Sequence, residues 1–114
     1  MDDRLIGNMA SNRLRGRQGD DLLYGGVGGR DVLMGGRGRD QFWIDTRPGS
    51  FAKVKDFRVW IDQLVLSVPK INLSLERVGR HLVIEYADSA VARLLGVSSI
   101  SLNQDAVFGD FSDI

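Results

Sequence analysis

Gly16-Arg17-Gln18-Gly19-Asp20-Asp21-Leu22-Leu23-Tyr24-Gly25-Gly26 is the stretch on which the fold turns. A glycine cluster leads into an aspartate, and a large apolar residue follows two positions later. The same unit recurs on both sides. Asp3-Arg4-Leu5, Asn12-Arg13-Leu14, Asp31-Val32-Leu33 and Asp40-Gln41-Phe42 repeat the Asx/apolar pair, at successive steps of 9, 9, 10 and 9 residues when Asp21 is included. Gly25-Gly26-Val27-Gly28-Gly29 and Gly35-Gly36-Arg37-Gly38 fill the intervals. A period near nine fits neither a helix nor an ordinary hairpin. It fits a flattened coil in which each repeat is one half-turn, about six residues of turn and about three of strand.

The residue types give that coil a chemistry. Glycine tolerates positive φ and leaves neighbouring carbonyls uncovered. Calcium is a hard cation that takes about six to eight oxygens, carboxylate and carbonyl together. Stacked turns on one side of a coil supply both. Same-side turns are two repeats apart, which pairs Asn12 with Asp31, Asp21 with Asp40, and Asp3 with Asp21. The metal-ligating set is then Asp21, Asp40, Asp31 and Asn12 with the turn glycines Gly19, Gly26, Gly28, Gly36 and Gly38; Asp3, Asp56 and Asp62 are additional candidates. Leu5, Leu14, Leu23, Leu33 and Phe42 should point inward and stack.

Residues 7–43 resemble the RTX repeats, the hemolysin-type calcium-binding nonapeptides. Residues 16–26 carry the motif closely, and Gly35-Gly36-Arg37-Gly38-Arg39-Asp40-Gln41-Phe42-Trp43 is similar to the last repeat of such an array. Val54-Lys55-Asp56-Phe57, then Asp62-Gln63-Leu64-Val65-Leu66, resembles the stretch that follows the repeats in secreted RTX proteins. The tail from Leu82 to Phe108 resembles the family's β-rich cap. The resemblance implies Ca2+ as cofactor, an extracellular, secreted location, and export by the type I secretion machinery through an uncleaved C-terminal signal. Phe108-Gly109-Asp110-Phe111-Ser112-Asp113-Ile114 suits such a signal and equally suits a last strand.

Two repeats depart from the pattern. The first has Ala10 for glycine and Asn12 for aspartate. The third carries one extra residue within Gly28-Gly29-Arg30-Asp31, which should bulge its turn. Both defects fall on one side of the coil, so Asp21/Asp40 is expected to be the better site. Met1-Asp2-Asp3 begins in mid-motif, as in a fragment of a longer array. An uncapped first coil exposes strand edges. Three outcomes are open: fraying, a cap from elsewhere in the chain, or a homodimer, with the dimer slightly favoured.

The chain has 114 residues, enough for one compact unit with a modest core. It lacks cysteine, which excludes disulfides, thiol nucleophiles and thiolate zinc sites. No apolar run reaches membrane-spanning length. Formal net charge is zero, from 15 basic and 15 acidic residues. Residues 7–43 nevertheless hold six arginines (Arg13, Arg15, Arg17, Arg30, Arg37, Arg39) against four aspartates. A solvated rim is the simpler reading; an anion-binding stripe for polysaccharide is the sharper one. No nucleic-acid partner is expected, because the basic-plus-aromatic surface is thin and no known motif appears.

Beyond the repeats the period becomes two. Val54, Val59, Ile61, Leu64, Leu66 and Val68 suggest strands, with breaks at Arg47-Pro48-Gly49 and Val68-Pro69. Ile71–Leu75 and Leu82–Tyr86, with the turn Val78-Gly79-Arg80 between them, predict a hairpin. Val91, Arg93 and Leu95 favour a strand over a helix, and Ile100, Leu102 and Val107-Phe108 would close the sheet. Trp43 and Trp60 are expected as core plugs. The expected class is all-β: a parallel β-roll over 1–46 continuing into a small β-sandwich, with 47–114 as a cap packed on the roll.

No catalytic constellation emerges. His81 is a lone histidine at a strand start, Glu76 and Glu85 flank a hairpin, and Gly26-Val27-Gly28 lacks the strand–helix setting of a dinucleotide loop. The expected function is a non-enzymatic calcium-binding module that folds after export. The alternatives are a carbohydrate or anionic-surface adhesion module, of the kind attached to alginate epimerases, and the C-terminal part of a longer secreted enzyme.

Overall fold

The computed structural model describes residues 3–47, 49–58, 61–66, 73–97 and 108–110. Strands follow one another along the chain: β1 (Arg4–Ile6), β2 (Arg13–Arg15), β3 (Leu22–Tyr24), β4 (Gly29–Met34), β5 (Gln41–Ile44), β6 (Ser50–Val54), β7 (Gln63–Leu66), β8 (Leu73–Val78), β9 (His81–Tyr86), β10 (Ser89–Leu94) and β11 (Phe108–Asp110). Odd and even repeats alternate between two sheets. One is five-stranded, in the order β1-β3-β5-β7-β11, and the other six-stranded, β2-β4-β6-β10-β9-β8. Every pairing in the first sheet is parallel, with Leu5 beside Leu23, Leu23 beside Phe42 and Phe42 beside Leu64. This is the all-β roll expected from the nonapeptide period. Among the described residues there is no helix, hence none long and apolar enough to cross a membrane.

The Asx/apolar rule sets the core. Leu23, Leu33 and Phe42 are fully buried between the sheets with Ile44, Val54, Leu64, Leu66, Ile84 and Leu94, while Leu5 and Leu14 pack against them half-buried. Phe57 joins this core, its ring 6.0 Å from that of Phe42. Trp43 is buried too, but on the other face of its sheet, beside Tyr24 and Val65. Trp60 lies outside the described residues.

Both sheets run without a break across residue 46, since β6 pairs with β4 and β7 with β5. The coil ends where antiparallel pairing begins. β8 and β9 form the expected hairpin around Gly79 and Arg80, with Val78 opposite His81. β9 and β10 form a second, through Ala87 and Asp88, both at positive φ (53° and 64°). A two-residue turn of that hand matches the twist of its strands. The segment around Val91 is therefore a strand, as its alternation suggests.

Two expectations are corrected. The extra residue near Gly28 does not bulge the turn. It is drawn into a longer β4, where Gly29 and Arg30 pair with Ser50 and Phe51. Ile61 is not in a strand; it lies in a turn and is 44% exposed. Val59, Val68, Ile71, Ile100, Leu102 and Val107 lie outside the described residues.

Candidate metal centre

The coil stacks the aspartates of one side into a column. Asp21 Oδ1 accepts the N–H of Asp3 at 2.8 Å, Asp40 Oδ1 that of Asp21 at 3.0 Å, and Asp62 Oδ1 that of Asp40 at 3.0 Å. Each carboxylate thus holds the backbone of the coil before it. Asp21, Asp40 and Asp62 are 2%, 1% and 2% exposed. Buried carboxylates demand compensation. The second oxygens of Asp21 and Asp40 receive none: both Oδ2 atoms are buried and accept no hydrogen bond.

The glycine turns make room for those oxygens. A Cβ at Gly16 would overlap Asp21 Oδ2 and come within 2.8 Å of the Gly35 carbonyl. Asp21 Oδ2 and Gly35 O therefore share the space in front of Gly16. Asp40 Oδ2 occupies the equivalent place in front of Gly35, which a Cβ there would also fill. Across the step between turns, the Gly19 carbonyl faces Gly38 at φ 98°, and the Arg17 carbonyl faces Gly36 while accepting the Arg37 N–H at 2.7 Å. Burial, reinforced by the charges of Asp62, Asp21 and Asp56, pushes the Asp40 carboxyl up to about 6, although the Asp21 amide pulls it down. Burial likewise raises Asp62 and Asp31. Such a column is short of positive charge.

Among the described residues, no three acidic or histidine side chains converge on one point. A cation here would depend on backbone carbonyls as well as carboxylates, which is how calcium is commonly held. The residues fit that ion: Asp21 and Asp40 supply the unsatisfied oxygens, and the carbonyls of Gly19 and Gly35 lie at the same step.

The opposite side is built differently. Asp31 Oδ1 accepts the Asn12 N–H at 2.7 Å, so this pair is brought together as expected. Asn12, however, is already satisfied by Asn8. Its Oδ1 accepts the Asn8 N–H at 2.6 Å and its Nδ2 donates to Asn8 Oδ1 at 3.0 Å. Gly26 faces the Asn8 carbonyl, and a Cβ at Gly28 would lie 3.6 Å from that of Met9. Asn12 is therefore paired within its own turn, because an amide carries its own donor.

The additional candidates have other duties. Asp3 contributes its amide, and its side chain is exposed. Asp56 spends both oxygens on the N–H groups of Gly35 and Gly36 (2.9 and 2.8 Å). Asp62 accepts from Asp40 N through one oxygen and from Arg58 N through the other at 2.9 Å. Their carboxylates tie the segment after the repeats to the last turn rather than facing an open step.

Two clusters were not foreseen. Arg58 reaches back to the repeats, its Nη2 donating to the Gly38 carbonyl. The signal was its place four residues before Asp62, with Nε 3.6 Å from Asp62 Oδ2. Asp45 is buried beneath Arg47, which grips it at 2.5 Å, and accepts the Tyr24 hydroxyl at 2.6 Å. Burial opposes ionisation of Asp45, yet Arg47 and Tyr24 hold its carboxyl below the usual range. Burial and the Asp45 charge push Tyr24 up to about 12. Asp45 lies outside the repeat phase, so the period gives no hint of it.

Residues 1–29 and 26–43 match the model of the RTX calcium-binding nonapeptide repeat, in four copies across that family model. The first 43 residues therefore match a class of calcium-binding repeat. The whole fold is similar to that of the AlgE6R3 subunit of the mannuronan C5-epimerase from Azotobacter vinelandii: 24% identity, 93% of this chain and 77% of that one, TM-score 0.60. It is also similar to part of the extracellular lipase LipA from Serratia marcescens, at 21% identity and TM-score 0.59, covering 91% of this chain. This chain spans only 20% of the lipase. Comparison with the curated proteins found no match. The solved folds support the β-roll, and the family model supports the calcium chemistry of the repeats.

Proposed function

We propose that this chain is a non-enzymatic calcium-binding module of an exported protein, loose where calcium is scarce and folded where it is abundant. One observation carries the reading: Asp21 Oδ2 and Asp40 Oδ2 are buried, adjacent along one column and without a donor. An ion at that step joins two coils that otherwise repel, so metal binding becomes folding free energy. RTX repeats and the extracellular lipase make an extracellular setting the natural one, with the type I export machinery as the partner that delivers the chain.

Thermal melting with and without calcium tests the reading. With affinity on the order of 10⁻⁴–10⁻³ M, calcium at about a hundred times Kd stabilises by about 2.7 kcal/mol. For a chain of this size that raises Tm by on the order of 10 °C. Identical melting curves in calcium at about a hundred times Kd, roughly 10–100 mM, and in excess chelator would contradict it.

A second reading has its own observation. A cleft of about 330 Å3 is lined by Arg30, Arg47, Phe51 and Tyr86, and Arg30 stacks 4.4 Å over the Phe51 ring. An acidic polysaccharide suits such a surface, and all six repeat arginines are exposed. Titration with a uronate oligosaccharide would support this reading by a binding isotherm lost in Arg30→Ala. Pairing of two chains belongs here as well. β1 and β2 end their sheets, and Ile6 and Met9 beside them are 53% and 81% exposed. Light scattering over a concentration series separates a dimer from a monomer.

A further inference from the structure

The carboxylate column continues one step past the repeats, and there the positive charge comes from the chain itself. Gly38 holds in its coil the place that Gly19 holds in the coil above; the same offset separates Asp40 from Asp21. In the upper step the Gly19 carbonyl faces Gly38. In the lower step the Gly38 carbonyl meets the Arg58 guanidinium through Nη2. Nε of the same group lies 3.6 Å from Asp62 Oδ2, and the Arg58 N–H donates to that oxygen at 2.9 Å. Asp56 locks the segment in place by accepting from Gly35 and Gly36. A turn carbonyl, a buried carboxylate and a cation therefore converge, as they would around a metal.

We propose that Arg58 is a built-in substitute for calcium at the step between turn 35–40 and the residues Asp56, Arg58 and Asp62. The column takes an ion from solution above Gly38 and a guanidinium from its own sequence below it. This rests on the calcium reading of the upper step. A tethered guanidinium needs no ion to be captured from solution, is always protonated, and donates in a fixed fork. The lower step is consequently ordered with or without calcium, whereas the coils above it respond to the ion. Asp56 and Asp62, which look like ligands in the sequence, serve as the anchor and the counter-charge of that internal cation.

Calorimetric calcium titration and thermal melts on the full chain test the proposal, comparing wild type with Arg58→Ser and Arg58→Lys. Arg58→Ser is expected to melt lower in chelator, to gain a larger calcium-induced rise in Tm than wild type, and to bind one more ion. Arg58→Lys keeps the charge and should retain the wild-type stoichiometry. Equal stoichiometry and equal calcium response in wild type and Arg58→Ser would overturn the substitution while leaving the upper site standing. Wild type that takes up no calcium, beside Arg58→Ser that does, would overturn the upper site alone. No uptake by either would overturn both. Hydrogen exchange of wild type in chelator gives a reading that does not depend on the variants folding. The amides of Gly35, Gly36 and Asp40 should stay protected while those of Asp3 and Asp21 exchange. Uniform exchange would count against the proposal.

Discussion

The two sides of the roll are built from the same repeat and solve the same problem in opposite ways. On the Asp21/Asp40 side, successive carboxylates grip the preceding coil through one oxygen and leave the other buried without a donor. On the Asn12/Asp31 side, a single amide replaces the upper carboxylate and finds both a donor and an acceptor in Asn8. The first arrangement leaves two buried oxygens without a partner; in the second, Asn12 is paired by Asn8. One substitution of oxygen by NH2 therefore separates a face with unpaired carboxylate oxygens from one whose Asx side chain is paired within its own turn. A buried, unsatisfied carboxylate costs more than a neutral amide that keeps its hydrogen bonds.

The most forceful way to break this contrast is Asp40→Ala. It removes one of the two unsatisfied oxygens and the acceptor for the Asp21 N–H. Most of the calcium-induced rise in Tm should disappear, and Asp21→Ala should remove nearly as much. A full calcium response in Asp40→Ala, read by melting curves, would place the ion elsewhere.

Acid should narrow the contrast next. Folding raises the Asp40 carboxyl to about 6, from about 3.9 in an unfolded chain. The folded state therefore binds the proton more tightly. Stability of the calcium-free chain is highest below about pH 4 on this account and is lost as pH rises to about 6. Without calcium, Tm should be higher at pH 5 than at pH 7, and the calcium increment smaller at pH 5, because protons and the ion compete for the same oxygens. A calcium-free Tm that drops on acidification, with an unchanged increment, would contradict this.

Asn12→Asp sharpens the comparison by making the quiet side resemble the other. It removes the donor to Asn8 and adds a charge above Asp31. In chelator a loss of about 1 kcal/mol is expected, recovered in calcium with one further ion in a calorimetric titration. Asn12→Ala should have the smallest effect. The side chain is only half-buried, so a loss within about 1 kcal/mol, equal in calcium and chelator, is expected from paired denaturation curves.

The repeat phase made most of this visible in advance. Asx at each turn end and an apolar residue two positions later determine both the core and the column, so Leu23, Phe42, Asp21 and Asp40 could be placed from spacing alone. The departure at Asn12 was legible in Ala10 and the missing aspartate, but its pairing was not: Asn8 stands where the next turn of that side has Gly26, and spacing alone does not show that two amides meet. Arg58 and Asp45 were missed for a related reason. Both act from segments outside the periodic array, and their partners, Gly38 and Tyr24, are brought near only by coiling. Asp56 and Asp62 were additional candidates in the sequence, which cannot show that their oxygens accept backbone N–H groups.

The direction of the aspartate–amide bonds gives the roll an order of assembly. Asp62 holds Asp40, Asp40 holds Asp21, and Asp21 holds Asp3. A coil becomes anchored only when the coil after it is already in place. Each such closure spans roughly one coil, a modest loop entropy, and an array that winds from its C-terminal end would close Asp40 onto Asp62 first. Pulse-labelled exchange during refolding should protect the Asp40 amide before that of Asp21, and that of Asp3 last; the reverse order would contradict the scheme. The column is then a ratchet that winds backwards along the chain, and its N-terminal coil is the last part of the molecule to acquire a shape.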